Sequence, residues 1–291
     1  MNYFSFKDKC LPLGDRTYIM GILNVTPDSF SDGNRWNEPE KALYHALEME
    51  KQGADIIDVG AFSTRPGCDT VSPEEELRRL SAVLPDILKN VTVPVSVDTF
   101  VPEIAEKCLS LGVSIINDVS GVFNEQMAEI IKKYRAGWVL MHGGVATAKT
   151  ESVKIYENGI VNDVGHFFDD MYNKCVSFGI NPSCICLDPG FGFSKTDEQN
   201  IELLKNLDKL DTHGTALLSA LSRKRFVGTL SDEPKAENRD PASVVCDILS
   251  IFKGADIIRV HDVEGHVDVV RTADKAIRSK QSEQGARSKE Q

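Results

Sequence analysis

Two sets of side chains in this sequence could do chemistry together. Asp98, Asn117 and Asp188 are acceptors, while Arg65, Lys224, Arg259 and His261 are cations or imidazoles. A carboxylate can accept two parallel hydrogen bonds from a guanidine-like edge, so buried Asp and Asn suit a flat heterocycle with amino and lactam N–H donors. Arginine as a fork and lysine as a point charge suit phosphate or diphosphate. The acceptors come from the middle of the chain and most of the cations from its last third, a sorting that predicts a ligand with two unlike ends. No Ser-His-Asp or Cys-His constellation accompanies them, so no covalent nucleophile is expected.

Each of these residues closes, or follows closely, a short apolar run. The runs cover 18–24, 55–60, 93–98, 114–118, 137–142, 184–188, 216–222 and 256–261. Each reads as a strand buried on both faces of a parallel sheet. Their ends are Asn24; Gly60 with Thr64 and Arg65 beyond it; Asp98; Asn117 and Asp118; His142; Asp188; Ser222 and Lys224; Arg259 and His261. One polar residue after one strand needs no explanation, because loops are polar. A whole series sorted by charge does.

Between the runs lie segments of helical period. Ser72-Pro73-Glu74-Glu75 reads as a capping box with proline at the first helical position, ahead of Leu77, Leu80, Leu84, Ile87 and Leu88. Asn124 caps a stripe of Met127, Ile130, Ile131 and Tyr134. Asp240-Pro241 opens a helix that Gly254 closes, as Gly53 closes one through Ala42, Leu43, Ala46 and Leu47. Eight β-then-α units without a mixed Gly/Ser/Pro linker predict an α/β fold: one (β/α)₈ TIM barrel over 18–279. Residues 1–17 are then a lead-in, and 280–291 a disordered polar tail. In such a barrel the active site lies at the C-terminal ends of the strands, where the sorted residues stand.

The chain has 291 residues, with 33 Lys and Arg against 44 Asp and Glu, for a net charge of −11. That balance argues against nucleic acid as a partner. It also means that the bases gathered at one barrel mouth would focus an anionic small molecule there. No apolar run is long enough to span a membrane, and no cationic segment leads into an apolar one at the start, so a cytoplasmic protein is expected. The seven cysteines are scattered without a C-x-x-C pair and read as buried reduced thiols. Gly190-Phe-Gly192-Phe-Ser-Lys195-Thr196 lacks the spacing of a nucleotide-binding phosphate loop. His45, His166, His213 and His266 read as surface or packing residues, and His142 as either a site-lining or a barrel-filling one. Alternation favours Lys224 pointing inward between Arg223 and Arg225. The loops 25–36 and 61–71 have few apolar anchors and read as lids.

Taken in order, Met20-Gly-Ile-Leu-Asn24-Val-Thr-Pro-Asp28-Ser-Phe30-Ser-Asp32-Gly33, Ser63-Thr64-Arg65-Pro66-Gly67, Val95-Ser-Val-Asp98-Thr99, Ile116-Asn117-Asp118-Val119-Ser-Gly121, Leu140-Met141-His142, Asp188-Pro-Gly-Phe-Gly192-Phe193, Ser222-Arg-Lys224 and Arg259-Val-His261-Asp-Val263 resemble the dihydropteroate synthase family. The resemblance implies a folate-pathway transferase joining 6-hydroxymethyl-7,8-dihydropterin diphosphate to p-aminobenzoate, with release of pyrophosphate. It implies that Asp98, Asn117, Asp188 and Lys224 bond the pterin, with Met141 and Phe193 against its faces. It assigns the diphosphate to Asn24, Thr64, Arg65, Arg259 and His261, and Mg²⁺ to Asn24 and the phosphate oxygens. Phe30, Thr64, Arg65, Pro66 and Ser222 would form the p-aminobenzoate pocket, for which sulfonamides compete, and a homodimer is implied.

The sequence departs from the family where Gly-Gly-Glu-Ser-Thr-Arg becomes Gly60-Ala61-Phe62-Ser63-Thr64-Arg65, and where Ala220 replaces a glycine. Two other readings share the fold. A corrinoid-linked methyltetrahydrofolate methyltransferase would lack Ser63-Thr-Arg-Pro-Gly67 and Ser222-Arg-Lys224, and a non-catalytic pterin-binding paralogue would have lost loop residues that are retained here.

Overall fold

The computed structural model describes residues 2–25, 38–61, 71–143 and 156–287, with backbone alone for Glu38 and for 279–287. The expectations at Asp28, Phe30, Asp32, Phe62, Thr64, Arg65 and Pro66, and the lid readings of 25–36 and 61–71 beyond Val25, Ala61 and Val71, lie outside the described residues.

Ten strands alternate with helices: β1 (Tyr3–Phe6), β2 (Lys9–Pro12), β3 (Tyr18–Asn24), α1 (Glu38–Gln52), β4 (Ile56–Gly60), α2 (Pro73–Asn90), β5 (Val95–Asp98), α3 (Pro102–Leu111), β6 (Ile115–Asp118), α4 (Glu125–Tyr134), β7 (Gly137–Met141), α5 (Ile160–Phe178), β8 (Ile185–Asp188), α6 (Asp197–Lys205), β9 (Ala216–Ser219), α7 (Arg225–Ser231), α8 (Asp240–Phe252), β10 (Ile257–Val260) and α9 (Val263–Arg287), counted among the described residues. β3 to β10 close in sequence order into a parallel barrel, β10 pairing with β3. This is the predicted (β/α)₈ barrel, with strand ends within a few residues of the apolar runs. The run 216–222 is strand only to Ser219, which leaves Ser222 in the loop that follows.

Side chains alternate across each strand, so positions two apart share a face. Tyr18, Met20, Ile56, Ile115, Val139, Cys186, Ala216, Leu218 and Ile257 pack together inside the barrel. The outward positions pack against the helices in a larger cluster that includes Leu23, Val59, Val97, Trp138 and Leu187. Continuing the inward parity toward the C-terminal ends brings up Asn24, Asp58, Asp98, Asn117, Met141, Asp188 and Arg259. The barrel is thus apolar below and polar above.

The lead-in has a definite role. β1 and β2 pair as an antiparallel hairpin. Phe4 and Phe6, fully buried and edge to face at 5.6 Å, fill the N-terminal end of the barrel. A Cβ on Gly137, where β7 begins, would lie 2.7 Å from the Phe4 ring, so glycine there makes room for the plug. The Lys7 N–H donates to the Arg135 carbonyl at 2.6 Å, and the Arg135 guanidinium returns a bond to the Lys7 carbonyl at 2.7 Å.

Helix ends follow the local signals, with exceptions. Ser72 accepts from the Glu75 N–H, but the Glu75 carboxylate turns to Arg78 and Arg79, so only one arm of the predicted box forms. Two arginines one turn on outbid a backbone N–H for a carboxylate. A full box, Thr196 with Gln199, stands at α6. The backbone of α9 continues to Arg287, inside the stretch 280–291 read as a polar tail.

Candidate active site

The floor of the barrel mouth is a network centred on Asp58. One oxygen of this fully buried carboxylate accepts from Asn117 Nδ2 at 2.9 Å and from Arg259 Nε at 2.7 Å. Arg259 also gives Nη2 to Asp98 at 3.2 Å. Two of its five N–H groups are thereby engaged. Among the described residues the buried Oδ1 atoms of Asp58, Asp98 and Asn117 have no partner, which leaves a cluster of acceptors for a donor-rich ligand edge. Burial pushes the Asp98 carboxyl up to about 7, with Arg259 opposing and Asp58 adding to the rise. For Arg259, burial works against the charge, but Asp58 and Asp98 outweigh it and hold the guanidinium above its ordinary value.

The wall beside this floor comes from β8 and the loop after β9. Asp188 Oδ1 accepts from the Gly190 N–H at 2.7 Å. Gly190 has φ +66°, and a Cβ there would lie 1.8 Å from the His142 carbonyl oxygen, so the turn admits only glycine. Burial raises the Asp188 carboxyl, against the pull of Lys224 and the Gly190 bond. The Lys224 ammonium bonds the Phe191 carbonyl oxygen and sits 4.6 Å over the Phe193 ring. Burial pushes it down to about 8, with Asp188 holding it up and Arg259 adding to the fall. Lys195, buried, bonds the carbonyls of Gly190 and Phe193 at 2.8 and 3.2 Å and ties this loop down. Met141, buried, has the inward parity of the same rim.

Lys224 points inward because Arg223 is held outward. Arg223 takes a left-handed φ of +60°, which costs a non-glycine residue on the order of 1 kcal/mol. Its N–H donates to Ser243 Oγ at 2.9 Å, its carbonyl accepts from Arg239 at 3.1 Å, and its fork closes on Asp240 with two bonds of 2.7 Å. Arg225 pairs with Asp197 at the surface, 3.1 Å away. Ser222 Oγ lies 2.9 Å from His261 Nδ1 and accepts the His261 N–H at 3.2 Å, which turns Nε2 away from the serine. Asn24, partly buried, ends β3 at the same rim.

Some expectations change. His142 neither lines the site nor fills the barrel: it packs outside β7, 2.9 Å from Asp163 and edge-on to Phe167 of α5. Asp58 escapes a reading of strand ends, because it sits inside an apolar run, although a lone carboxylate two positions before Gly60 on the inward face is a usable signal. His266 is packing, as expected, but as half of a buried pair with Asp247 at 3.0 Å. Arg65, Thr64, Pro66 and Phe30 lie outside the described residues. Among the described residues no group of three or more His, Cys, Asp or Glu could hold a metal ion.

The geometry has close parallels. A family model described as pterin binding enzyme matches residues 20–261. The chain is 39% identical over 262 residues to the dihydropteroate synthase of Synechocystis sp., covering 90% of each protein. It resembles the structure of dihydropteroate synthase from Clostridium difficile, determined in the presence of pteroic acid, at 40% identity and a TM-score of 0.85 over 92% of this chain and 99% of that one. The Xanthomonas albilineans dihydropteroate synthase with 4-aminobenzoic acid is similar at 37% identity and a TM-score of 0.84, over 92% and 96%.

Proposed function

The chain belongs to the dihydropteroate synthases among the pterin-binding enzymes, and from that premise we propose how its barrel mouth joins 6-hydroxymethyl-7,8-dihydropterin diphosphate to p-aminobenzoate. The observation that carries the reading is the set of orphaned buried acceptors on Asp98 and Asn117, beside the buried Asp188 and the half-buried Lys224. A pterin offers amino and ring N–H donors along one edge and a carbonyl on another, which these carboxylates, amide and ammonium complement. Met141 and Phe193 bound its faces, and the cation over Phe193 anchors that ring.

The diphosphate then lies toward the rim, addressed by Asn24, Thr64, Arg65, His261 and the N–H groups that Arg259 has not committed to Asp58 and Asp98. Ser222, with Phe30, Thr64, Arg65 and Pro66, forms the p-aminobenzoate pocket, for which sulfonamides compete. Mg²⁺ fits this donor set as an ion that arrives largely with the diphosphate, because Asn24 offers one neutral oxygen and the described residues hold no carboxylate cluster for it. When bound, it neutralises charge on the leaving group.

The C–O bond to the diphosphate breaks as Arg65, Arg259 and His261 take up the growing negative charge. The exocyclic carbon becomes cationic, stabilised by the electron-rich dihydropterin and the Asp98 and Asp188 carboxylates. The aniline nitrogen then forms the new C–N bond and loses a proton to water, so no strong base is needed.

We infer a homodimer from Val245, Leu249 and Phe252, an exposed apolar stripe at i, i+4 and i+7 on α8. We also infer a cytoplasmic setting, which buried free thiols such as Cys108, Cys175 and Cys186 suit; no described helix is long and apolar enough to cross a membrane. The purified protein, given both substrates and Mg²⁺, should release pyrophosphate and form 7,8-dihydropteroate. Pterin binding with no product above background would instead support a non-catalytic pterin-binding protein.

A further inference from the structure

Asp247 and His266 are both completely buried and 3.0 Å apart, and no step above uses them. The pair joins two helices: Asp247 lies on α8 and His266 near the start of α9. The imidazole is engaged at both nitrogens, Nε2 by Asp247 and Nδ1 by the Asp262 carbonyl oxygen at 2.6 Å. A carbonyl only accepts, so Nδ1 carries a proton, and the carboxylate draws a second to Nε2. Asp262 directly follows His261.

One turn earlier on the same face of α8, Ser243 Oγ accepts the Arg223 N–H at 2.9 Å. Arg223 directly follows Ser222. A single helix therefore grips both rim loops one residue past the site, Ser243 the loop after β9 and Asp247, through His266, the loop after β10. Where the loops meet, Ser222 Oγ and His261 Nδ1 are 2.9 Å apart.

A buried ion pair is costly to desolvate, and apolar residues of like volume would often serve stability as well. Here the cost is visible, since Asp247 Oδ1 has no partner among the described residues. What an apolar pair could not do is fix the Asp262 carbonyl, and so the height of His261, to a particular turn of α8.

We propose that Asp247 and His266 are positioning residues that hold His261 at the spacing from Ser222 required to receive the diphosphate end of the pterin substrate. This rests on the reading that His261 addresses the diphosphate. The pterin floor of Asp58, Asp98 and Asn117 is built on β4, β5 and β6, outside both loops, and of the pterin-binding residues only Lys224 stands on one of them.

The test compares two ligands that differ in the diphosphate alone. Asp247→Leu and, as a second variant, His266→Asn remove the anchor, the latter leaving an amide N–H where Nδ1 stood. Calorimetric titration should show affinity for 6-hydroxymethyl-7,8-dihydropterin diphosphate weakened about tenfold, the scale of loss expected from a misplaced binding group. Affinity for 6-hydroxymethyl-7,8-dihydropterin should change by far less, and Asp247→Asn, which retains an acceptor for Nε2, should recover part of the loss. Equal weakening of both ligands, or of neither, in the folded variants would overturn the proposal. If the wild-type protein binds neither ligand, the reading of the site itself fails instead.

Discussion

Arg259, on the last barrel strand, reaches across the interior to place Nε 2.7 Å from the carboxylate of Asp58, on the second. The chain separation between them is 201 residues, and the link closes the polar floor on which Asn117 and Asp98 also rest.

Removing one partner of such a pair leaves the other charged and buried. Asp58→Ala should cost about 3–5 kcal/mol of stability by urea unfolding, whereas Asp58→Asn, which retains a side-chain oxygen as acceptor, should cost less. Equal and small losses for both would show that Arg259 finds other compensation.

Lys224, in its proposed role, should give the reaction an alkaline limit. With its ammonium pushed down to about 8, the charged form dominates below that pH and is lost above it. The kcat/KM for the pterin diphosphate should therefore fall as pH rises through about 8, and Lys224→Arg should move that limb upward. Lys224→Ala should lower kcat/KM by about 100-fold or more; near-normal turnover would remove Lys224 from the chemistry.

Asp98, in its proposed role, should set an acid limit on pterin binding. Its carboxyl is raised to about 7, chiefly by burial, so the acceptor form is present above that pH and protonated below it. Calorimetric titration of the pterin alone should show affinity dropping as pH falls through 7, and Asp98→Asn should bind weakly with that dependence gone. An affinity flat across neutrality in the wild type would contradict the role.

The hairpin should serve stability and not chemistry. Phe4→Ala empties a fully buried aromatic site and should cost about 3–5 kcal/mol. The steady-state kcat measured well below the melting temperature should stay close to that of the wild type, because the floor residues stand at the opposite end of the barrel. A large fall in kcat would mean that the plug also shapes the mouth.

The barrel was legible because most of its strands are short apolar runs with a polar residue at or just beyond their end, and Asp98, Asn117, Asp188 and Arg259 were legible because they stand within the last residues of those strands. Asp58 was not, since it interrupts an apolar run from within and only inward parity reveals it. The hairpin escaped because four-residue strands carry little periodicity, although Phe4 and Phe6 are spaced as a strand that buries one face. Asp247 escaped for a related reason: on α8 it shares the buried side with Ser243, Cys246 and Ser250, and its partner arrives from the next helix. Contacts between elements leave no mark on local sequence.

The aromatic stopper at the N-terminal end has a kinetic consequence. A barrel sealed by Phe4 and Phe6 is a blind well, so both substrates and both products share one opening. With p-aminobenzoate at Ser222 as proposed, the ligand at the level of Asp58 and Asp98 should enter before it. Traffic through the mouth should then be ordered by depth.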